Sequence, residues 1–520
     1  MSANSPGPRT IQSLNMSRVL PFSRVLVANR GEIAVRICRS LKDMGIVSVA
    51  VHSDVDAQAL HVLAADETVL LAGQGSGSYL EPAHIVAAAQ QARCEAVHPG
   101  YGFLSEDPAL PSALVAAGLV FIGPSAAAME ALGSKRRAKE VALAANVPVV
   151  PGFDTDDGDE EALQEEARKI GYPVLIKAVG GGGGKGMRLV EQDQDFAEAI
   201  AACRREAQSA FGSGDVLLER CIRPARHVEI QVLGDSQGRV VALNERECSV
   251  QRRHQKIIEE APSPAVNPEL RQRMMEAAVR LAEGVKYQNA GTVEFLLDPE
   301  GSFYFLEMNP RLQVEHPVTE MTTGLDLVQL QVYLAGGSSL RELLGDRDLS
   351  PRGHSIEARV YAEDPAAGFL PAAGVLSQVI EPRGPGVRID SGVCTGSEVT
   401  VHFDPMLAKI IVHDADRASA LSRMRKTLAE SAYLGVSTNL DFLDRVFQSE
   451  EFQAGELSTD MLDRSPALAE DGGGQVPNAA YAGAALFQML AVRSAPGDGS
   501  LEGLEEPWTS LGAIRLWEGA

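Results

Sequence analysis

The chain has 520 residues, 45% hydrophobic and 22% charged, ordinary globular proportions for a length that suggests three or four domains. A formal net charge of -23 argues against nucleic acid or an anionic membrane as partner, yet leaves room for a local cationic pocket that takes a polyphosphate. Six scattered cysteines without a CxxC pair read as reduced thiols, and no stretch is apolar for long enough to predict a transmembrane helix.

The first 22 residues form a polar leader with Arg9 and Arg18 and no apolar core. An unstructured start in a cytoplasmic protein is the preferred reading; a cleaved transit peptide, and hence the mitochondrial matrix, is the alternative. From Arg24 the pattern turns to alternating strands and helices. Val25–Ala28 reads as a buried strand, Glu32–Met44 as a helix and Ile46–Val51 as a second strand, a βαβ unit that opens a parallel α/β layer. Further strands are expected at Ala96–His98 and Leu119–Ile122. The first domain is therefore placed at 23–133. A second, at 134–337, has hairpin-like strands and a glycine tract. A third, at 338–465, mixes strands (Ser355–Tyr361, Leu407–Val412) with a helix near Ala418–Ser431. The tail, 466–520, is Gly/Pro/Ala-rich, with one helix candidate at Ala479–Val492 and both tryptophans, Trp508 and Trp517.

Within the second domain, the strand Val174–Lys177 runs through Ala178 and Val179 into five glycines, Gly180–Gly184, and then Lys185. Glycines without Cβ atoms let backbone N–H groups wrap a phosphate chain, with Lys177 and Lys185 as flanking charges. The spacing fits neither the P-loop nor the dinucleotide fingerprint. Taken alone, such a tract is as readily a flexible loop.

Two strands, Thr292–Leu297 and Phe303–Met308, flank the turn Asp298-Pro299-Glu300-Gly301. A hairpin symmetric about residues 300 and 301 sets Glu294 opposite Glu307. Facing carboxylates destabilise a sheet unless a divalent cation lies between them, and hard oxygen ligands suit Mg²⁺ or Mn²⁺. Beyond Glu307, every second residue is polar: Asn309, Arg311, Gln313 and Glu315. In extended backbone these share one face, although Pro310 makes the run irregular. Arg252, Arg253, His254 and Lys256 form a cationic cluster that could serve an anionic substrate; taken alone, such a cluster is more often a salt-bridged surface segment.

The strings Ala28-Asn29-Arg30-Gly31-Glu32-Ile33-Ala34, His98–Glu106, Arg226–Gln231, Gln251–Lys256 and Glu307–Pro317, in that order with the glycine tract, resemble the biotin carboxylase family of ATP-grasp enzymes. The resemblance runs from about Arg24 to Arg464. It implies a multidomain α/β and α+β fold: an α/β N-terminal domain, an ATP-grasp domain whose mobile lid spans about 149–221, and a mixed C-terminal domain. It implies ATP-dependent carboxylation of biotin by bicarbonate through carboxyphosphate. Lys135, Lys177, Gly182, Gly183, Glu219, His227 and His254 resemble the family's ATP contacts. Glu294, Glu307 and Asn309 resemble ligands of two Mg²⁺ or Mn²⁺ ions. Lys256, Arg311, Gln313 and the Val314 backbone resemble the bicarbonate site, Glu315 the base, with Arg311 and Lys256 favouring its ionised form, and Arg359 the arginine that steadies the biotin enolate.

The segments Ala358–Pro365, Gly368–Pro371 and Phe403–Met406 look like acyl-CoA carboxylase α subunits, and Pro507–Leu516 like the entry to a carboxyltransferase-docking segment of the 3-methylcrotonyl-CoA carboxylase type. No Met-Lys-Met is present. The resemblance thus implies biotin on a separate carrier protein or domain, a carboxyltransferase subunit as partner, and a homodimer or larger assembly. The competing readings are another ATP-grasp ligase and an inactive regulatory homologue. Cys248 is expected to be structural.

Overall fold

The opening βαβ unit forms as its apolar pattern requires. In the computed structural model, strands β1 (Arg24–Val27), β2 (Val47–His52), β3 (Glu67–Leu70), β4 (Ala96–His98) and β5 (Val120–Phe121) make a parallel sheet in the order β3-β2-β1-β4-β5. Helix α1 (Gly31–Met44) follows β1 and ends on Gly45 at φ +78°, a left-handed stop that favours glycine. Val25 and Val27 point into one apolar cluster and Leu26 into another, so the sheet is buried on both faces. The structure describes residues 20–154, 159–179 and 186–465, with 468, 482, 483, 485 and 486 beyond. The leader before residue 20, the glycine tract, Lys185, both tryptophans and most of the helix candidate Ala479–Val492 lie outside the described residues.

Strands β6 (Gly152–Asp154), β7 (Val174–Ala178), β8 (Met187–Val190) and β9 (Val216–Arg220) form a small antiparallel sheet ordered β6-β9-β7-β8. Its own core includes Val174, Ile176, Phe196, Ile200 and Leu218. This subdomain falls within the segment expected to be the lid.

The scaffold of the site is an eight-stranded sheet. Its strands are β10 (Arg226–Gly234), β11 (Val240–Arg252), β12 (Gln255–Ala261), β13 (Asn289–Leu297), β14 (Phe303–Asn309), β15 (His354–Tyr361), β16 (Val387–Ser391) and β17 (Met406–Asp414), ordered β14-β13-β10-β11-β12-β15-β17-β16. Every neighbouring pair is antiparallel. Alternation sorts the side chains. Val228, Ile230, Val232, Val293 and Phe295 enter one apolar cluster, and Ile356, Ala358, Val360, Ala408 and Ile410 enter a second. The intervening positions, Glu229, Gln231, Glu294, Glu357, Arg359 and Lys409, are buried as well, although polar or charged. The short helix His316–Thr323 lies over them, with Val318 packed on Ala261 and Ile411.

The sequence-derived hairpin is present, but its register has two parts. Next to the turn, Leu297 pairs with Phe303, Leu296 with Tyr304 and Phe295 with Phe305; then an irregularity at Leu306 shifts the ladder, and Glu294 pairs with Glu307. A hairpin continuing its first register would have faced Glu294 with Leu306. The bulge delivers the expected carboxylate pair. The expected extended run through Glu315 does not form, because strand β14 stops at Asn309 and bends and turns follow.

Candidate active site

Glu294 is the hub of the polar face. Its Oε1 accepts hydrogen bonds from Lys256 Nζ (2.8 Å), Asn309 Nδ2 (2.8 Å) and Gln313 Nε2 (3.0 Å). Its Oε2 lies 2.9 Å from His227 Nε2. Gln251 Nε2 lies 2.8 Å from the other ring nitrogen of His227. Burial opposes ionisation of Glu294, but Lys256 and His227 outweigh it and hold the group well below the usual carboxylate range. Opposite, burial and the charge of Glu294 raise Glu307. The donor set fits a divalent cation: two carboxylates and an amide oxygen, one carboxylate held up by the other's charge, which a cation would relieve.

Lys256 joins this hub to Glu315. Its ammonium contacts Glu229 Oε2 at 2.6 Å, Glu294 Oε1 at 2.8 Å and Glu315 Oε1 at 2.7 Å, using all three of its protons. Glu315 Oε2 accepts from Arg359 Nη2 at 2.9 Å. Glu315 is completely buried, which alone would favour its neutral form. Lys256, Arg359 and Arg246 overcome that cost and keep it well below the ordinary range. The expected helper, Arg311, is instead ion-paired with Glu106 and hydrogen-bonded to Gln313 Oε1 at 3.2 Å; Arg359 takes its place beside Glu315. Arg359 also pairs with Glu259, which burial pushes up to about 7.

The lysines expected around ATP gather at the edge of this face. Glu219 on β9 bridges Lys177 on β7 and Lys139 on the helix Lys135–Ala144. Burial lowers Lys135, as does the charge of Lys177, while Glu307 and Glu219 act the other way; charged groups of the small sheet and of the eight-stranded sheet thus sense one another here. Gly182 and Gly183 lie outside the described residues.

The cationic cluster read from Arg252 to Lys256 does not form. Arg252 pairs with Glu363 at 2.8 Å and lies over the Phe369 ring, Arg253 and His254 are exposed on a turn, and only Lys256 enters the site. The turn takes Arg253 and His254 to φ +50° and +66°, so the two strands reverse direction and adjacent residues diverge. Cys248 is buried in the site beside Glu229 and Glu315, and burial raises its thiol well above the ordinary range, which suits a structural thiol.

Several residues of the network escaped the sequence reading. Glu229 was visible as part of His227-Val228-Glu229-Ile230-Gln231, an alternation of polar and apolar residues, yet nothing local said that both faces are buried. Arg246 is wholly buried and donates to Glu229 (2.5 Å), Gln231 (2.8 Å), Thr319 (3.0 Å) and Thr292 (3.0 Å), fixing the floor beneath Lys256. Lys139 and Glu259 carried no motif signal.

Lysines gathered around Glu219, a facing carboxylate pair and a deeply buried, ionised glutamate lie on one polar face, charges that suit ATP-dependent activation of a small anion. The comparisons with known proteins carry this further. The biotin carboxylase N-terminal domain matches residues 21–129, the ATP-binding domain of the carbamoyl-phosphate synthase L chain residues 134–343, and the biotin carboxylase C-terminal domain residues 357–464. A biotin carboxylase of Nostoc is 47% identical over 444 residues, covering 85% of this chain and 99% of the relative. The mitochondrial methylcrotonoyl-CoA carboxylase subunit alpha of Mus musculus is 49% identical over 443 residues, 85% of this chain and 62% of the relative. The biotin carboxylase domain of Hydrogenobacter thermophilus 2-oxoglutarate carboxylase, solved with MgADP, ADP and bicarbonate, superposes with a TM-score of 0.82 at 40% identity, over 88% of this chain and 100% of that one. The chain belongs to the biotin carboxylase family. It spans 62% of the length of each of two rodent methylcrotonoyl-CoA carboxylase alpha subunits it matches.

Proposed function

We propose that this chain uses ATP to carboxylate the ureido nitrogen of biotin, as the biotin carboxylase component of an acyl-CoA carboxylase. The observation that carries the reading is Glu315, fully buried and held ionised between Lys256 and Arg359. A buried carboxylate that stays ionised is unprotonated and free to accept a proton; its basicity is low while Lys256 and Arg359 hold it and rises when a small anion shares those cations.

Bicarbonate gives its hydroxyl proton to Glu315, and its oxygen attacks the γ-phosphorus of ATP as the bond to ADP breaks, leaving carboxyphosphate. Lys256, Arg311, Gln313 and the Val314 N–H hold the bicarbonate. Lys135, Lys177, Glu219, His227 and His254 serve ATP, and the first two offset charge on the phosphates. Glu294, Glu307 and Asn309 would hold magnesium or manganese, which would supply further neutralisation of that charge. Carboxyphosphate then yields CO₂ and phosphate. That phosphate takes the ureido N–H proton, Arg359 steadies the resulting negative charge on the biotin ureido oxygen, a task suited to a fixed guanidinium, and the nitrogen captures the CO₂.

The biotin is presented on a carrier protein or domain, and a carboxyltransferase partner passes the carboxyl group to an acyl-CoA. The mitochondrial relatives bring the matrix forward as a compartment beside the cytoplasm. Among the described residues no helix is long and apolar enough to cross a membrane. The test is ADP release from MgATP with and without bicarbonate and free biotin. Stimulation requiring both is expected; ATP binding without bicarbonate-dependent turnover would replace this reading with a regulatory one.

A further inference from the structure

Two of the strings noted in the sequence, Ala28–Ala34 and His98–Glu106, supply no residue to the phosphate or base chemistry above beyond the Glu106 partner of Arg311. Both converge on one buried cation. Lys409, on β17, has no exposed surface. Its Nζ donates a 2.8 Å hydrogen bond to the Val314 carbonyl oxygen and lies 3.5 Å from Glu32 Oε2 and 3.9 Å from Asp390 Oδ2. The ring of Tyr101 lies 5.9 Å away. Glu32 stands at the start of α1, Tyr101 in the loop after β4, Asp390 on β16 and Val314 in the turn before Glu315. One ammonium thus meets the N-terminal domain, the ATP-grasp segment and the C-terminal strands.

We propose that Lys409 is a positioning residue for bicarbonate, holding the Val314–Glu315 peptide so that the base keeps its place. The inference rests on the role given to Glu315 under the proposed function. The Val314 carbonyl belongs to the peptide whose nitrogen is that of Glu315, so Lys409 fixes the backbone from which the base projects. Lys256 and Arg359 fix its carboxylate end. A side chain gripped at both ends keeps the sub-ångström placement that proton transfer requires. A charge-assisted bond to a carbonyl is stronger than a neutral one, and it is out of water here.

Glu32 suits the task of holding that ammonium. Neither of its carboxylate oxygens has a hydrogen-bond partner, both are buried, and its ion pair is with Lys409. Its backbone is closely packed: a Cβ at Gly392 would come within 2.6 Å of the Glu32 nitrogen, so the loop after β16 lies against the first turn of α1. This contact gives the Asn-Arg-Gly-Glu string a use that no phosphate contact does.

The test compares Lys409→Met, Lys409→Met with Glu32→Gln, Lys409→Arg and Glu315→Gln by bicarbonate-dependent ADP release, by MgADP affinity and by melting temperature. The double variant leaves no bare carboxylate facing the methionine and guards against a failure to fold. Displacing the base by a fraction of an ångström to about 1 Å is expected to lower kcat/KM for bicarbonate by roughly 10- to 100-fold, with MgADP affinity within about twofold of wild type. Lys409→Arg, which retains a donor, is expected to recover part of the loss. A folded methionine variant with unchanged kcat/KM for bicarbonate overturns the proposal, as does an equal loss of MgADP affinity, which marks a structural role. Where neither methionine variant folds, Glu32→Gln alone decides: a raised KM for bicarbonate supports the proposal and an unchanged one overturns it. If Glu315→Gln retains full turnover, the base assignment itself fails, a different result from a silent Lys409.

Discussion

The two large sheets bury their faces in opposite ways. The parallel sheet β1–β5 buries aliphatic residues on both sides, Leu26 and Val49 on one and Val25 and Val27 on the other. The eight-stranded sheet gives one face to apolar clusters and fills the other with Glu229, Glu294, Glu357, Arg359 and Lys409, all nearly out of water. An apolar face is held together by area removed from water and tolerates rearrangement. A buried charged face is held by complementarity, since each ion is costly unless its partners stay in place. The first sheet is scaffold, and the second is scaffold and proposed reaction site together.

The sharpest way to break this comparison is at the base. Glu315→Gln is expected to cut bicarbonate-dependent ADP release by about 10²–10⁴ while MgADP affinity, measured by calorimetry, stays near wild type. A comparable loss of both would make Glu315 a structural ion instead.

Next come paired substitutions in the two sheets. Lys256→Met strands Glu229, Glu294 and Glu315 and is expected to cost about 3–5 kcal/mol and abolish turnover. Leu26→Ala leaves a cavity in the parallel sheet at a comparable cost of about 2–5 kcal/mol, but activity per folded molecule should persist. Denaturation curves beside specific activity separate the two. Glu307→Gln, at the facing carboxylates, is expected to raise the Mg²⁺ concentration for half-maximal turnover by about tenfold, while the melting temperature stays the same or rises as its repulsion with Glu294 is removed. An unchanged metal titration would remove the pair from the metal site.

A smaller effect is expected from pH. Burial pushes Glu32 up to about 7, against the opposing pull of Lys409. A carboxyl raised on folding is neutral in both states at low pH and ionised at a cost in the folded state at high pH, so its contribution to stability is lost as pH rises from about 4.5 through about 7. Glu32→Gln should therefore raise the melting temperature by a few degrees at pH 8 relative to wild type, with little change at pH 5; equal shifts at both would contradict the assignment. Smallest is His254→Ala on the exposed turn, expected to change stability by less than about 0.5 kcal/mol, so any rise in KM for ATP would report nucleotide contact alone.

Much of the fold was readable from local pattern. The βαβ opening, the helix found at Arg417–Glu430 and the strands β15 and β17 follow from runs of apolar residues at fixed spacing. The Glu294–Glu307 pairing was reached by symmetry about the turn, although the chain achieves it through a bulge at Leu306, which spacing alone does not reveal. The polar alternation from Glu307 to Glu315 marked residues that do meet, but through bends after Asn309 and not along a strand. Arg246 and Glu259 were missed because a charged residue on a strand normally faces solvent.

The sequence by itself determined the order of elements, the family, and several of the short strings that converge on the polar face, because periodicity and glycine or proline placement act over a few residues. Only the tertiary structure decided which charges are neighbours. Arg252 and Lys256 are four residues apart yet serve different partners, whereas Lys256, Glu229, Glu294 and Glu315 come from four distant segments to share one ammonium. Contact across a sheet depends on strand order and register, and burial depends on the helix His316–Thr323 lying over that face, neither of which is encoded in any one stretch of chain.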